Sequence, residues 1–220
     1  MEQAAQLLGK DPETIQKRFL KLTRLRFLNR EKRSGFDEYI YFPARAGGVQ
    51  IADRGYAPEI RFIGKKSPMS ITHDWTISQF HAGLELALRN TPKPISSWQQ
   101  WRRDMKDMQH LVPDGRFALE GDEEYSMLEN HRHESEYENG KSSFHRKLIE
   151  YADLGVYRVY VLMKTQEKRD MFVKKIAPEL NTTKLWFATV QDALVNPLGS
   201  IWRTPHNYES RSYSILPPTD

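Results

Sequence analysis

A β-prone, largely apolar run at residues 157–163, YRVYVLM, constrains the fold more than any other segment. Apolar and polar residues do not alternate along it, as they would on a strand with one solvated face. The run is therefore expected to be a central strand that is covered on both faces. Such a strand needs other strands beside it and helices packed against the sheet.

The segments around this run predict the rest of that sheet. Periodicity and composition give the order strand, strand, helix, strand, helix, strand, which predicts a mixed sheet flanked by helices. A turn at residues 121–123 joins the first two strands into a hairpin. The six segments are residues 112–119, 124–131, 141–154, 157–163, 167–177 and 184–190.

Composition limits the chemistry that the chain can perform. The sequence contains no cysteine, which excludes disulfides, thiolate zinc sites and cysteine nucleophiles. No apolar run approaches the roughly 20 residues of a membrane helix, and the N-terminus does not have the profile of a signal peptide. A cytoplasmic protein that does not enter the membrane is expected.

Charge is distributed unevenly along the chain. Residues 10–33 carry nine basic and three acidic side chains, a balance of 9 − 3 = +6. Residues 114–140 carry nine acidic and two basic side chains, a balance of 2 − 9 = −7. The first segment suits contact with phosphates, whereas the second suits cations or plain solvation.

The N-terminal third has the pattern of a helix-turn-helix with a wing. Residues 2–8 favour a helix, Gly9 interrupts it, and Asp11 before Pro12 is a cap signal that starts a second helix. A polar, basic turn is expected at residues 29–35, followed by a β-prone segment at 38–42. A complete winged helix has one more helix ahead of this pair, so the expected module lacks its first helix or receives it from another chain.

The second helix is predicted to pack with one face and to present a basic face to double-stranded DNA. Its cations, with those of the wing, would neutralise phosphates while the helix enters the major groove. The alternative is that the cations form a solvated surface. The predicted DNA-binding residues are Thr14, Gln16, Lys17, Arg18, Lys21, Arg24, Arg30, Lys32 and Arg33.

Several motifs, each weak alone, together resemble the replication-relaxation family of plasmids and integrative mobile elements. They are a helix at 72–88 (THDWTISQFHAGLELAL), the segments 96–102 (SSWQQWR) and 112–117 (VPDGRF), the strand of Glu129, residues 147–151, and 196–202 (NPLGSIW). The resemblance implies an α+β protein with an N-terminal winged helix-turn-helix and an α/β domain similar to the PD-(D/E)XK nuclease core. The expected domains are residues 1–66 and 67–203, followed by a tail at 204–220 that straps the surface or is partly disordered.

Such a nuclease core implies a candidate catalytic site. An aspartate and a glutamate on neighbouring strands hold Mg²⁺ or Mn²⁺, and a lysine orients water and stabilises charge on the phosphate. Asp114 and Glu129 match the two carboxylates. His131 stands where the lysine is expected, and Lys147 on the following helix is the candidate substitute.

His131 leaves the use of this site open. Imidazole prefers Mn²⁺ or Zn²⁺ to Mg²⁺, so the predicted metal ligands are Asp114, Glu129 and His131. Because a neutral imidazole is a poorer permanent cation than lysine, three alternatives remain. The site is an active nuclease, a metal site without catalysis, or purely structural.

Three functions follow from these patterns. The first is a DNA-binding accessory protein of a mobile element, which acts in plasmid replication, DNA relaxation or mobilisation and contacts a relaxase, a replication protein or a second copy in a homodimer. The second is a metal-dependent DNA endonuclease of the PD-(D/E)XK type. The third is a winged-helix transcriptional regulator. All three share contact with duplex DNA.

Overall fold

The chain is an α+β protein, and its described residues form two sheets, one of two antiparallel strands and one of five strands in a mixed arrangement. The computed structural model describes residues 2–32, 39–53, 68–100, 111–131, 143–153, 158–180, 182–207 and 213–215. These belong to two compact units, Met1–Ser78 and Gln79–Asp220. The domain boundary predicted between residues 66 and 67 lies outside the described residues.

The smaller unit begins with two helices, α1 (Glu2–Leu8) and α2 (Pro12–Arg24). Gly9, at φ +59°, turns the chain between them, a conformation that glycine adopts without steric cost. The Asp11 carboxylate accepts hydrogen bonds from the backbone N–H groups of Glu13 and Thr14, at 2.9 and 3.1 Å. The predicted start of the second helix at Pro12 is confirmed.

A hairpin follows these helices. Its strands are β1 (Leu28–Lys32) and β2 (Tyr39–Pro43), paired antiparallel. The prediction of a turn from residue 29 is wrong for residues 29–32, which form most of β1. Pairing with the β-prone strand β2 overrides their weak intrinsic propensity, and the Phe19 ring of α2 meets Tyr41 of β2 at 5.0 Å. The rest of the predicted turn, residues 33–35, lies outside the described residues.

Helix α3 (Arg45–Asp53) follows the hairpin and was not predicted. Its sequence contains Gly47 and Gly48, which disfavour a helix in isolation. Gly47 lies directly against the backbone of Phe27, so close that a Cβ there would overlap the Phe27 carbonyl group. That carbonyl oxygen also accepts a hydrogen bond from the Ala44 N–H at 3.0 Å. Tertiary contact, rather than local propensity, therefore accounts for α3.

The boundary between the two units, after Ser78, falls within helix α4 (Pro68–Leu88). The prediction of a helix at 72–88 is confirmed, although the helix starts four residues earlier. Across the described part of the chain, α4 included, no helix has the length and apolar character that a membrane span requires.

The larger unit contains the five-stranded sheet, in the order β3-β4-β5-β6-β7. The first three strands pair antiparallel and the last three pair parallel. The elements are β3 (Ile95–Gln100), β4 (Gly115–Leu119), β5 (Ser126–His131), α5 (Ser143–Asp153), β6 (Val159–Met163), α6 (Gln166–Ile176), β7 (Leu185–Thr189) and α7 (Val190–Val195).

The prediction of a mixed sheet with a covered central strand is confirmed. Strand β6 lies between β5 and β7, and all five of its residues are buried. One sheet face packs under α5 and α6 in a cluster that includes Leu148 and Phe172. The other face carries a row of rings: Phe117 stacks on Tyr160 at 5.4 Å, and Tyr160 meets Trp202 edge to face at 4.9 Å.

The described part of the C-terminal tail packs on the larger unit. The backbone of Arg203 forms an antiparallel β-bridge with Phe187 of β7, and that of Trp202 forms another with Tyr213. Thr204 and Ile215 are buried. The predicted strap is thus present at these residues, while 208–212 and 216–220 lie outside the described residues.

The contact between α3 and Phe27 predicts that Gly47→Ala destabilises the smaller unit. The added Cβ would meet backbone atoms, which cannot turn away as a side chain can, so we expect a loss of about 1–3 kcal/mol in stability. Faster hydrogen exchange in α2, β1 and α3 than in the wild type would show it. Val49→Ala, at an exposed position of α3, is the matched control and should exchange as the wild type does. Unchanged exchange in Gly47→Ala would contradict the packing described.

Candidate functional site

Two carboxylates meet where β4 begins beside β5. The pairing of Gly115 with Leu128 places Asp114 next to Glu129 on the neighbouring strand. The Asp114 carboxylate oxygen Oδ2 accepts a hydrogen bond from the backbone N–H of Asn130 at 2.8 Å. Glu129 is 4% exposed, so its carboxylate lies inside the protein. The two carboxylates predicted from the sequence are brought together.

Helix α5 supplies two donors to the buried carboxylate. Lys147 Nζ lies 2.7 Å from Glu129 Oε1, and the Tyr151 hydroxyl donates to the same oxygen at 2.7 Å. Lys147 also donates to the Val112 carbonyl at 2.9 Å. Positions four apart lie on one side of a helix, which is why both side chains reach the same atom. Lys147 therefore joins the site, as the sequence predicted.

Burial controls the protonation of this pair. Loss of solvation raises the pKa of Glu129 to about 7, an effect that the Lys147 ammonium opposes and the nearby Asp114 carboxylate adds to. Burial, followed by the proximity of Glu129, raises the pKa of the Tyr151 hydroxyl. Tyr151 therefore stays protonated and donates at any physiological pH. Burial affects the pKa of Glu129 more than the Lys147 ammonium does, so the Glu129 side chain gains or loses its proton near pH 7.

His131 has different neighbours. Its side chain is buried, and its ring stacks on Phe144 with a centroid distance of 4.1 Å and lies 6.0 Å from Phe172. Within the ranges that the structure describes, no group of three or more His, Asp or Glu side chains is placed to hold a metal ion. The structure thus gathers Asp114, Glu129 and Lys147, and packs His131 against aromatic rings of the core.

The fit of a divalent cation to these residues is partial. Two carboxylates are ligands that Mg²⁺ and Mn²⁺ accept. However, one oxygen of Glu129 already accepts from an ammonium group and a hydroxyl. The Lys147 ammonium is a cation in contact with the carboxylate and already offsets part of its charge. As arranged, Lys147 and Glu129 form a charge-compensated pair beside Asp114.

Tyr151 is a site residue that the sequence did not reveal. The helical period puts Tyr151 on one face of α5 with Phe144 and Leu148, and all three are buried. Its hydroxyl nevertheless carries a hydrogen bond to Glu129. The available signal was its spacing of four residues from Lys147, which puts both on one side of the helix.

The second candidate surface is the cationic side of α2. Ile15 is buried, while Gln16 and the basic residues of the helix are exposed; these are Lys17, Arg18, Lys21 and Arg24. Lys17 forms an exposed pair with Glu13 at 2.7 Å, a contact that solvent and salt weaken. Thr14 is half-buried, and its hydroxyl hydrogen-bonds the Asp11 carboxylate in the helix cap.

Two cations of the hairpin lie on the hairpin face that packs on α2. Arg30 is paired with Tyr41, whose ring meets Phe19 of α2, and the Arg30 guanidinium lies 4.8 Å from the centre of the Tyr39 ring. Lys32, two residues after Arg30, points to the same face of β1. Both are exposed, whereas the predicted contact Arg33 lies outside the described residues.

Comparison of the chain with models of protein families, with curated proteins and with solved structures finds no match.

The raised pKa of Glu129 predicts a specific dependence of stability on pH. The folded state binds this proton more tightly than the unfolded chain, so the contribution of Glu129 to stability is greatest below pH 4.5 and falls as the pH rises to about 7. Glu129→Gln removes the titration and should abolish this fall, which amounts to at most about 3 kcal/mol. Urea unfolding across that pH range measures it.

Glu150→Gln provides the control, because Glu150 is exposed on the same helix and the substitution should keep the fall. Identical pH profiles for the wild type and Glu129→Gln would show that the carboxylate is not buried as described.

Proposed function

We propose that the chain is a DNA-binding accessory protein of a mobile genetic element. The observation that carries the proposal is the exposed set of cations on α2, together with the exposed Arg30 and Lys32 on the adjoining hairpin. Duplex DNA is the partner that such a surface fits, because an exposed cationic helix can lie in the major groove while neighbouring cations contact phosphates.

The local structure supports this use of α2. Asp11 caps the helix, and Phe19 fixes its packed side on the hairpin. The cations are therefore displayed on a rigid element and not on a loop, which lowers the entropic cost of binding. The order α1, α2, β1, β2 is the order of helix-turn-helix and wing, and a winged helix is the fold that we propose for this unit.

The larger unit is proposed as a nuclease-like scaffold that contacts a relaxase or a replication protein. The order β4, β5, α5, β6, α6, β7 matches the order expected of a PD-(D/E)XK core. The setting in replication, DNA relaxation or mobilisation rests on the sequence motifs alone. A transcriptional regulator would use the same α2 surface, and a footprint over a promoter instead of an origin would distinguish it.

The site around Glu129 favours an accessory role over cleavage. A cation, Lys147, already contacts Glu129, and Tyr151 fills a second position on the same oxygen. A buried carboxylate that has its own ammonium partner needs no metal for its charge to be tolerated. The contacts of Asp114, Glu129 and Lys147, which the sequence assigned to catalysis, thus also fit a structural role.

DNA binding through α2 predicts a defined change in salt dependence. The triple variant Lys17→Glu/Arg18→Glu/Lys21→Glu should bind duplex DNA at least about tenfold more weakly. The slope of log K against log salt should fall by about one for each phosphate that the helix no longer neutralises. Fluorescence anisotropy of a labelled duplex at several salt concentrations measures both quantities.

Lys174→Glu/Lys175→Glu is the control, because these lysines are exposed on α6 in the other unit. That variant should retain most of the affinity and slope of the wild type. A triple variant that binds duplex DNA as the wild type does would contradict DNA binding through α2.

A metal-dependent endonuclease is the second candidate, favoured by the convergence of Asp114, Glu129 and Lys147. Supercoiled plasmid incubated with the protein and Mn²⁺ or Mg²⁺ separates the two functions. The accessory function predicts no change in plasmid topology. Nicking that disappears in Asp114→Ala but persists in Glu120→Ala, where the acid is exposed on the β4–β5 turn, would establish the endonuclease instead.

A further inference from the structure

An open groove of about 770 Å³ lies in the smaller unit, between the end of α2, the base of the hairpin and the start of α3. Its walls include two exposed arginines, Arg26 and Arg45, and none of the described residues that line it is acidic. Its floor is apolar, with Phe27, Ala44 and Val49. The groove combines positive charge at its rim with an apolar base.

This groove and the Arg30 side chain lie on different faces of the hairpin. Asn29 lines the groove, whereas Arg30, the next residue of β1, is on the face that packs on α2. Neighbouring residues of a strand point to opposite faces. The apolar floor also suits a protein side chain better than a phosphate backbone, which is hydrated and uniformly charged.

The chain itself carries a segment with the complementary chemistry. The turn between β4 and β5, residues 120–125, ends in Tyr125, which is 37% exposed and has the Arg116 guanidinium 4.8 Å from the centre of its ring. Its exposed acids are Glu120, Glu123 and Glu124. Its carboxylates are complementary to the two arginines of the groove, and its aromatic ring can pack on the apolar residues of the groove.

Backbone and side-chain contacts hold this turn in shape. The Glu120 N–H donates to the Pro94 carbonyl at 2.8 Å, and the Asp122 N–H donates to the Leu119 carbonyl at 3.0 Å. Lys93 pairs with the Asp122 side chain at 3.0 Å. A turn that is already ordered loses little conformational entropy when it docks.

We propose that the β4–β5 turn of one molecule docks in the Arg26/Arg45 groove of a second molecule. In this contact the carboxylates of Glu123 and Glu124 face the two arginines, and Tyr125 lies on the apolar floor. Opposite charges at the rim set the register and speed the encounter, while the ring supplies the buried anchor.

The contact joins two different surfaces. A two-fold arrangement, in which each turn fills the groove of the other molecule, closes the assembly as a dimer. Any other arrangement leaves one groove and one turn open, and association then proceeds further. Copies aligned on one duplex would bind it cooperatively; that consequence rests on the proposed DNA binding, whereas self-association itself does not.

Sedimentation velocity of the full chain without DNA tests the proposal. At low salt the wild type should form larger species as its concentration rises, and high salt should reverse this. Either Arg26→Glu/Arg45→Glu or Glu123→Lys/Glu124→Lys should weaken association at least about tenfold. Mixing the two variants should restore it, because each then meets the opposite charge.

Lys174→Glu/Lys175→Glu carries the same change in net charge as the groove variant and should associate as the wild type does. Circular dichroism and thermal unfolding must match the wild type in every variant, and Arg26→Ala/Arg45→Ala replaces a groove variant that does not fold. A wild type that stays monomeric, or a mixture that fails to associate, overturns the proposal. Loss of DNA affinity in the groove variant with association unchanged would also overturn it and would make the groove a phosphate contact.

Discussion

The larger unit is organised around a carboxylate that it has to keep away from water. Glu129 lies on a strand whose six residues are all buried, under a helix that covers this face of the sheet. An ionised Glu129 carboxylate without a partner would lower the stability of the fold by roughly several kcal/mol, the penalty for burying one ion. Helix α5 offsets it by delivering Lys147 and Tyr151, one turn apart, to the same oxygen. These two contacts with Glu129 fix how α5 is placed along the sheet.

The same contacts account for the residues that the sequence assigned to a metal site. Lys147 also bonds to the Val112 carbonyl, and Asp114 bonds to the backbone of Asn130, so the network links α5 to the start of β4. Each group contributes to holding these elements together. A constellation of two carboxylates and a lysine is therefore compatible with a structural role, and the proposed function of the chain depends on the other unit.

Sequence patterns were most informative where local signals and tertiary structure agree. The apolar run of β6 and the Asp11 cap of α2 are examples, since burial on both faces and helix capping leave direct traces in composition. Strand β1 and helix α3 were beyond such reasoning. Asn29 and Lys32 are poor strand formers, and they form a strand because they pair with the β-prone β2. Glycine is a poor helix former, but position 47 needs it because the Phe27 backbone leaves no room for a larger residue.

The candidate site was predictable in its charged residues and not in its surroundings. The resemblance to a nuclease core grouped Asp114, Glu129 and Lys147, and adjacent strands and the next helix do bring them together. His131 shares the strand face of Glu129, yet its ring packs on Phe144, and Tyr151 combines an apolar position with a polar contact. Periodicity assigns a residue to a face; it does not say which atoms meet there.

Hydrogen exchange of the chain with and without a bound duplex tests the central claim most directly. Binding through α2 predicts that protection gained on adding DNA is confined to α2 and the β1–β2 hairpin, and that the amides around Asp114 and Glu129 exchange at their original rates. Protection centred on β4, β5 and α5, with α2 unaffected, would contradict the account and would place the DNA at the carboxylate site.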